Sequence, residues 1–192
     1  MPRRFVGTFL LAVAIAASGA CGPGTAPAGQ PPMAVLSKNS FEGLRDAFNQ
    51  TSDQTRVILL LSPTCGTCLR GASAVDAVLR RYPNAPVTVF AVWQPMLPTD
   101  LSQPTTGTLG RLSDRRVRQF YDHDHRLAGT MKADARSPQP VQECCTLNDI
   151  LWDLVAIYVP GDKWTDKMPV AKFFNGPVVG VTEGLEKVLG GK

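Results

Sequence analysis

Arg56-Val57-Ile58-Leu59-Leu60-Leu61-Ser62-Pro63-Thr64-Cys65-Gly66-Thr67-Cys68 is the stretch on which the reading turns. Its first part is an unbroken apolar run with β-branched residues, the pattern of a short strand buried on both faces. Pro63 ends that strand. From Cys65 to Tyr82 the apolar positions Leu69, Ala72, Val75, Leu79 and Tyr82 recur at helical spacing, and Pro83 closes the helix. Two cysteines separated by Gly66 and Thr67 therefore sit where a buried strand turns into a helix. Three chemistries use that spacing: a stabilising disulfide, half of a metal site and a redox-active dithiol.

A disulfide across so short a loop removes little entropy from the unfolded chain, so stability alone gives poor reason for one here. A structural zinc site needs a second pair of similar spacing. Cys144-Cys145 has no spacer and does not chelate in that manner. Dithiol exchange fits the setting. The first turn of a helix offers free N–H groups and the positive end of the helix dipole to a thiolate at Cys65. One turn on, Cys68 is within reach of a mixed disulfide formed there.

The elements around the motif are legible by period. A helix is expected near Phe41–Gln50 behind Ser40 as N-cap, and a second strand over Pro86–Met96. Residues 97–112 form a Thr/Pro/Gly-rich loop. Ser113–Ala133 reads as a helix with Val117, Phe120, Tyr121, Leu127 and Met131 on one face. Leu151–Pro160 is a third strand, Met168–Val181 a fourth broken by Asn175-Gly176-Pro177, and Glu183–Leu189 a final helix. Strand–helix–strand at the start implies parallel neighbours. The last two strands, joined by only Gly161–Lys167, should be antiparallel. The fold class is α/β: a small mixed sheet flanked by helices.

Ser62-Pro63-Thr64-Cys65-Gly66-Thr67-Cys68 after a buried strand, in this order of elements, resembles the thioredoxin-like superfamily, particularly its exported, membrane-tethered thiol–disulfide proteins. The similarity runs from about Arg56 to Leu189. It implies that Cys65 is the nucleophile and Cys68 the resolving thiol, with protein thiols or disulfides, or a membrane redox partner, as what they act on. Such exchange needs no cofactor. The family also places a cis-proline against the dithiol at the start of a late strand, and Met168-Pro169-Val170 makes Pro169 the candidate. Three positions depart from thioredoxins proper. Thr64 stands where they have Trp, Thr67 where they have Pro, and Leu59 where they keep a buried acid.

The front of the chain carries its own signal. Arg3 and Arg4 precede Phe5–Ala17, which has no charge, and Ser18-Gly19-Ala20 precede Cys21. A basic start, a short apolar centre and small residues make a secretory signal over residues 1–20, too short to span a bilayer comfortably. Cleavage there is either of the ordinary kind or of the lipoprotein kind, with Cys21 lipidated. The usual Leu of the lipobox is replaced by Ser18, but Cys21 directly after the cut and the tether that follows favour the lipoprotein kind. Residues 21–35, rich in Gly, Pro, Ala and Gln, read as that flexible tether, and residues 36–192 as the domain. Export to the cell envelope, facing the periplasm or the exterior, places the cysteines where disulfides persist.

Loss of Arg3 and Arg4 leaves 18 basic against 16 acidic side chains, too balanced to suggest nucleic acid as a partner. Cys144 and Cys145 are a candidate redox relay or soft-metal pair. With Cys65 and Cys68 they supply the alternative function, a non-catalytic thiol- or copper-binding lipoprotein. Asp122-His123-Asp124-His125 and Arg115-Arg116-Val117-Arg118 read as solvated helix faces rather than sites. Trp93-Gln94-Pro95 is core by default, or lines the groove beside Cys65.

Overall fold

A computed structural model describes residues 23–37, 41–135 and 145–190. The signal segment, Cys21, the expected cap Ser40 and Cys144 lie outside the described residues.

The run that opens the motif is strand β2 (Thr55–Leu61), and all seven of its residues are buried. Its alternation decides which core each residue joins. Val57, Leu59 and Leu61 face the helix that follows, α2 (Gly66–Arg81). Ile58 and Leu60 face the opposite core, with Leu44 and Phe48 of α1 (Phe41–Gln50). Burying each of these side chains contributes roughly 1.5–3 kcal/mol.

β2 pairs in parallel with β3 (Val87–Trp93), reached through α2, as the crossover rule requires. On its other side it pairs antiparallel with β7 (Leu154–Tyr158), which in turn pairs antiparallel with β8 (Phe173–Asn175). This mixed sheet, with α2 and α5 (Thr182–Leu189) on one face and α1 on the other, is the α/β arrangement expected from the order of elements. A two-residue hairpin, β5 (Thr146–Leu147) and β6 (Ile150–Leu151), precedes β7. Its central Asn148 and Asp149 both have positive φ, the turn that matches strand twist.

Two strands extend the sheet beyond those expected. Val117–Asp122 is strand β4, parallel to β3, and not the start of a helix; only Arg126–Thr130 (α4) and the turn of π-helix after it are helical. The loop between β3 and β4 carries one helical turn of its own, α3 (Thr106–Leu109). Val117, Phe120 and Tyr121 fit helical spacing. Here Val117 and Tyr121 enter the α2-side core while Phe120 enters the other. The alternation was hidden because a polar residue, Gln119, takes an inward position. Its Oε1 accepts from Trp93 Nε1 (2.9 Å), and its Nε2 donates to the Gln30 side chain (2.9 Å) and the Leu109 carbonyl (3.0 Å).

Gln30 belongs to the segment expected to be a flexible tether. Residues 23–35 are instead laid on the domain. Gly24 N–H donates to the Pro104 carbonyl (2.9 Å), Thr25 N–H to Thr106 Oγ1 (3.0 Å), and Gln30 Nε2 to the Leu112 and Asp114 carbonyls. The segment ends as β1 (Ala34–Leu36), paired in parallel with β4 at the sheet edge. Low hydrophobicity suggested disorder, but these residues order by hydrogen bonding to the β4 edge and to the loop before it.

Arg116, within the basic run Arg115–Arg118, closes the end of α2. Its guanidinium donates to the Leu79, Tyr82 and Ala85 carbonyls and pairs with Asp114.

Gln119→Leu strands Trp93 Nε1 and the Leu109 carbonyl and frees Gln30 from the sheet. The expected loss is about 1–3 kcal/mol of unfolding free energy, read from urea denaturation of variant and parent.

Candidate dithiol site

Because β2 is dry along its length, its first polar group toward the site is Ser62, at the end where α2 begins. Asp100 holds that end. Its carboxylate accepts from Ser62 Oγ (2.7 Å), Thr64 N–H (3.0 Å) and Thr64 Oγ1 (2.6 Å), and from the Met96 and Leu97 amides (both 2.8 Å). Burial alone would raise its pKa. The bonds from Thr64, Leu97, Ser62 and Met96 outweigh this and hold it below the usual carboxylate range. The Pro63-Thr64 turn is thus fixed from both sides by one buried carboxylate.

Cys65 follows as the N-cap residue of α2, in extended conformation, and its sulfur takes the place of a capping oxygen. Sγ accepts from the Cys68 amide at 3.5 Å. Cys65 is half-buried and free; Cys68, also free, has no exposed surface. Burial pushes the Cys68 thiol far up from its ordinary pKa, and the negative charge of Asp153 adds to this. One thiol of the pair is thus reachable and the other shielded.

Asp153 belongs to the site as well, and no motif in the sequence singled it out. It lies at the entrance to β7, where Leu60 pairs with Leu154 and Leu59 with Val155, so it lies level with the C-terminal end of β2. Its charge acts on the Cys68 thiol, and its Oδ1 accepts from Val178 N–H (3.1 Å). Burial raises the Asp153 pKa, against the opposing pull of the Val178 amide, the Cys68 thiol and Arg70. Its backbone sits at φ 48°, a left-handed conformation that Asp tolerates better than most residues. The signal was an acid inside the otherwise apolar stretch Leu151–Pro160.

Two glycines let the late segment close on this group. A Cβ at Gly71 would meet Val178 Cβ at 2.7 Å, so α2 and the Val178–Gly180 turn touch backbone to side chain. A Cβ at Gly176 would collide with the Asp153 carbonyl oxygen and with Cys145 Sγ. Gly176–Pro177 is the cis peptide among the described residues.

The cis-proline expected at Pro169 is thus corrected to Pro177. Pro169 follows Met168, which packs in the core on the far face of the sheet with Tyr158 and bonds Asp134. Strand direction explains the displacement. β7 runs antiparallel to β2 and β8 antiparallel to β7, so it is the end of β8, at Asn175, that returns to the dithiol level. The start of β7 reaches the same level, and there the chain has Asp153 in place of a proline.

Cys145 is buried, and it is disulfide-bonded to a cysteine outside the described residues. Its sulfur lies 3.4 Å from the Asp153 carbonyl oxygen. A disulfide sulfur is not a thiolate ligand, which removes Cys145, in this state, from the soft-metal reading. No cluster of three or more His, Cys, Asp or Glu suited to a metal occurs among the described residues. Asp122, His123, Asp124 and His125 diverge: Asp122 Oδ2 accepts from Leu127 N–H, His123 pairs with Asp124 at the surface, and His125 Nε2 lies 2.8 Å from the Pro95 carbonyl oxygen. They sit at a strand end and turn, not along one helix face. Trp93 is wholly buried and bonded to Gln119, so it belongs to the core and not to the groove.

No protein-family model and no curated protein matches this chain. Two solved structures show a partial likeness to it. A thioredoxin-like protein in the oxidized form, solved in solution, is 15% identical with a TM-score of 0.42, covering 71% of this chain and 78% of its own. The thioredoxin domain of a thiol-disulfide oxidoreductase from Bacteroides vulgatus is 8% identical with a TM-score of 0.40, covering 71% and 82%.

The raised pKa of Asp153 carries a sign. The native state holds this proton after the unfolded chain has released it, so the stability it contributes is full below about pH 4 and is lost as pH rises through the folded value. Asp153→Asn lacks that loss. Its unfolding midpoint in urea should match the parent in acid and exceed it at neutral pH, the gap opening above about pH 4.

Proposed function

We propose that the protein exchanges disulfides through Cys65 and Cys68, in an exported chain anchored by a lipid at Cys21. The observation that carries the first part is the asymmetry of the pair: a reachable sulfur capping a helix, and a wholly buried one whose proton is held by burial and by the charge of Asp153. A structural disulfide needs no such division. The lipid anchor rests on Ser18-Gly19-Ala20-Cys21 and the signal before it.

In the reducing direction, the Cys65 thiolate attacks one sulfur of a substrate disulfide. A mixed disulfide forms and the other substrate sulfur leaves as a thiolate. Cys68 must then lose its proton to act, and its burial opposes this. The Asp153 carboxylate, when ionised, accepts that proton. A carboxyl group whose pKa burial has raised is a better match for a thiol than a surface carboxylate is. The Cys68 thiolate attacks Cys65 Sγ, the second substrate thiolate leaves, and Cys65–Cys68 is oxidised as the substrate disulfide gains two electrons. Run in reverse, the same steps oxidise a substrate dithiol. With Leu59 supplying no acid beneath the pair, Asp153 is the carboxyl group assigned to Cys68.

Cys68→Ser removes the resolving thiol and should halt the sequence at the mixed disulfide. Incubated with a peptide disulfide, the variant should accumulate a covalent adduct on Cys65, seen by mass spectrometry of non-reduced peptides, while the parent accumulates none. An adduct mapped to another cysteine, or none, would count against the reading.

A further inference from the structure

The segment after Cys21 is bonded to the domain almost at once. Gly24 N–H is held by the Pro104 carbonyl and Thr25 N–H by Thr106 Oγ1. Gly24 lies three positions beyond Cys21, a covalent span of at most about 11 Å. Whatever holds Cys21 therefore holds the loop of residues 97–109 close to itself.

That loop is also the loop of the dithiol. Asp100 within it clamps Ser62 and Thr64; Thr99 Oγ1 lies 2.5 Å from Thr64 Oγ1, and Thr108 Oγ1 donates to the Pro63 carbonyl at 3.4 Å. Between these anchors and Pro104 stands Leu101, 90% exposed and bounded by Asp100 and Ser102. A Leu turned fully to water at the point where the chain is tethered stands to gain from burial in an apolar phase.

Resting on the lipid-anchor reading above, we infer that the loop of residues 97–109 lies on the lipid surface with Leu101 entering it, so that Cys65 is presented to a disulfide or dithiol at headgroup depth. The occupant of this face is the bilayer, and the protein that Cys65 meets is one embedded in it. A long free tether would let the domain turn and search the surrounding space. One docked through residues 23–33 fixes its orientation.

The test uses the full-length lipidated chain in phosphatidylcholine–phosphatidylglycerol vesicles that carry a phosphatidylethanolamine bearing a pyridyl disulfide on its headgroup. Cys65 attacks the lipid-side sulfur and pyridine-2-thione leaves. Cys68 then displaces the lipid thiol, and Cys65–Cys68 is oxidised. The readout is the ratio of this rate to that with a soluble pyridyl disulfide, so a general loss of activity cancels. A flexible Gly/Ser insert of about 20 residues after Gly22 should lower the ratio about tenfold by diluting the dithiol away from the surface, and Leu101→Glu should lower it too. An unchanged ratio in the insert variant, with lipid on Cys21 confirmed by mass, overturns the orientation alone. Absence of lipid on Cys21 overturns the anchoring reading beneath it, and failure to react with the soluble disulfide overturns exchange itself.

Discussion

Seven consecutive residues of β2, hydrogen-bonded on both edges and buried on both faces, govern what the rest of the chain is able to do. A strand so enclosed offers no room for an ionised group beneath the site. Leu59, which projects toward α2 and Cys68, sits among Val57, Leu61, Ala72 and Val75. A carboxylate at that place would be far from water and from any cation, at a cost of several kcal/mol. Polar chemistry is pushed to the end of the strand, where Ser62 and the α2 N-terminus meet solvent and Asp100 closes the turn. The one charged residue inside β2, Arg56, is at the opposite end, its guanidinium donating to the Val159 and Asp162 carbonyls and lying over the Phe48 ring.

An acid still reaches the dithiol, by a different road. Antiparallel pairing brings the entrance of β7 level with the exit of β2, and Asp153 stands there with its carboxyl group on the Val178 amide and its carbonyl oxygen against Cys145 and Gly176. The cis Gly176–Pro177 bond and the Val178 amide come from the end of β8, and Gly71 admits that segment to α2. Four separate parts of the chain thus meet around one buried thiol. The Cys145 sulfur, part of a disulfide, packs at the back of that assembly against the Asp153 carbonyl and Gly176.

Local period and spacing made the central elements legible in the sequence. Val57–Leu61 and Val87–Trp93 carry continuous apolar runs, α2 its stripe from Leu69 to Tyr82, and the short Gly161–Lys167 connection the antiparallel sense of β7 and β8. Cys65 and Cys68 needed only the strand-to-helix junction. Features that depend on contacts distant in the chain were hidden. β4 looked helical because Gln119, an inward residue, is polar and finds its partners in Trp93 and Gln30. Residues 23–35 looked free because their order comes from the carbonyls of Pro104, Leu112 and Asp114 and from the edge of β4. Pro169 and Pro177 both precede apolar residues, and only the register of β8 on β7 separates them. Asp153 was visible as an acid in an apolar stretch, but nothing local said that Cys68 lay beside it.

The claim beneath all of this is that Cys65 and Cys68 form one reversible two-electron couple. Equilibrating the purified domain in glutathione buffers of graded redox poise, quenching with acid and counting alkylated thiols by mass measures it directly. Cys65 and Cys68 should change together, from both alkylated to neither, along a single two-electron curve. A pair that stays fully reduced or fully oxidised across the whole range, or two cysteines that change at separate poises, would contradict it.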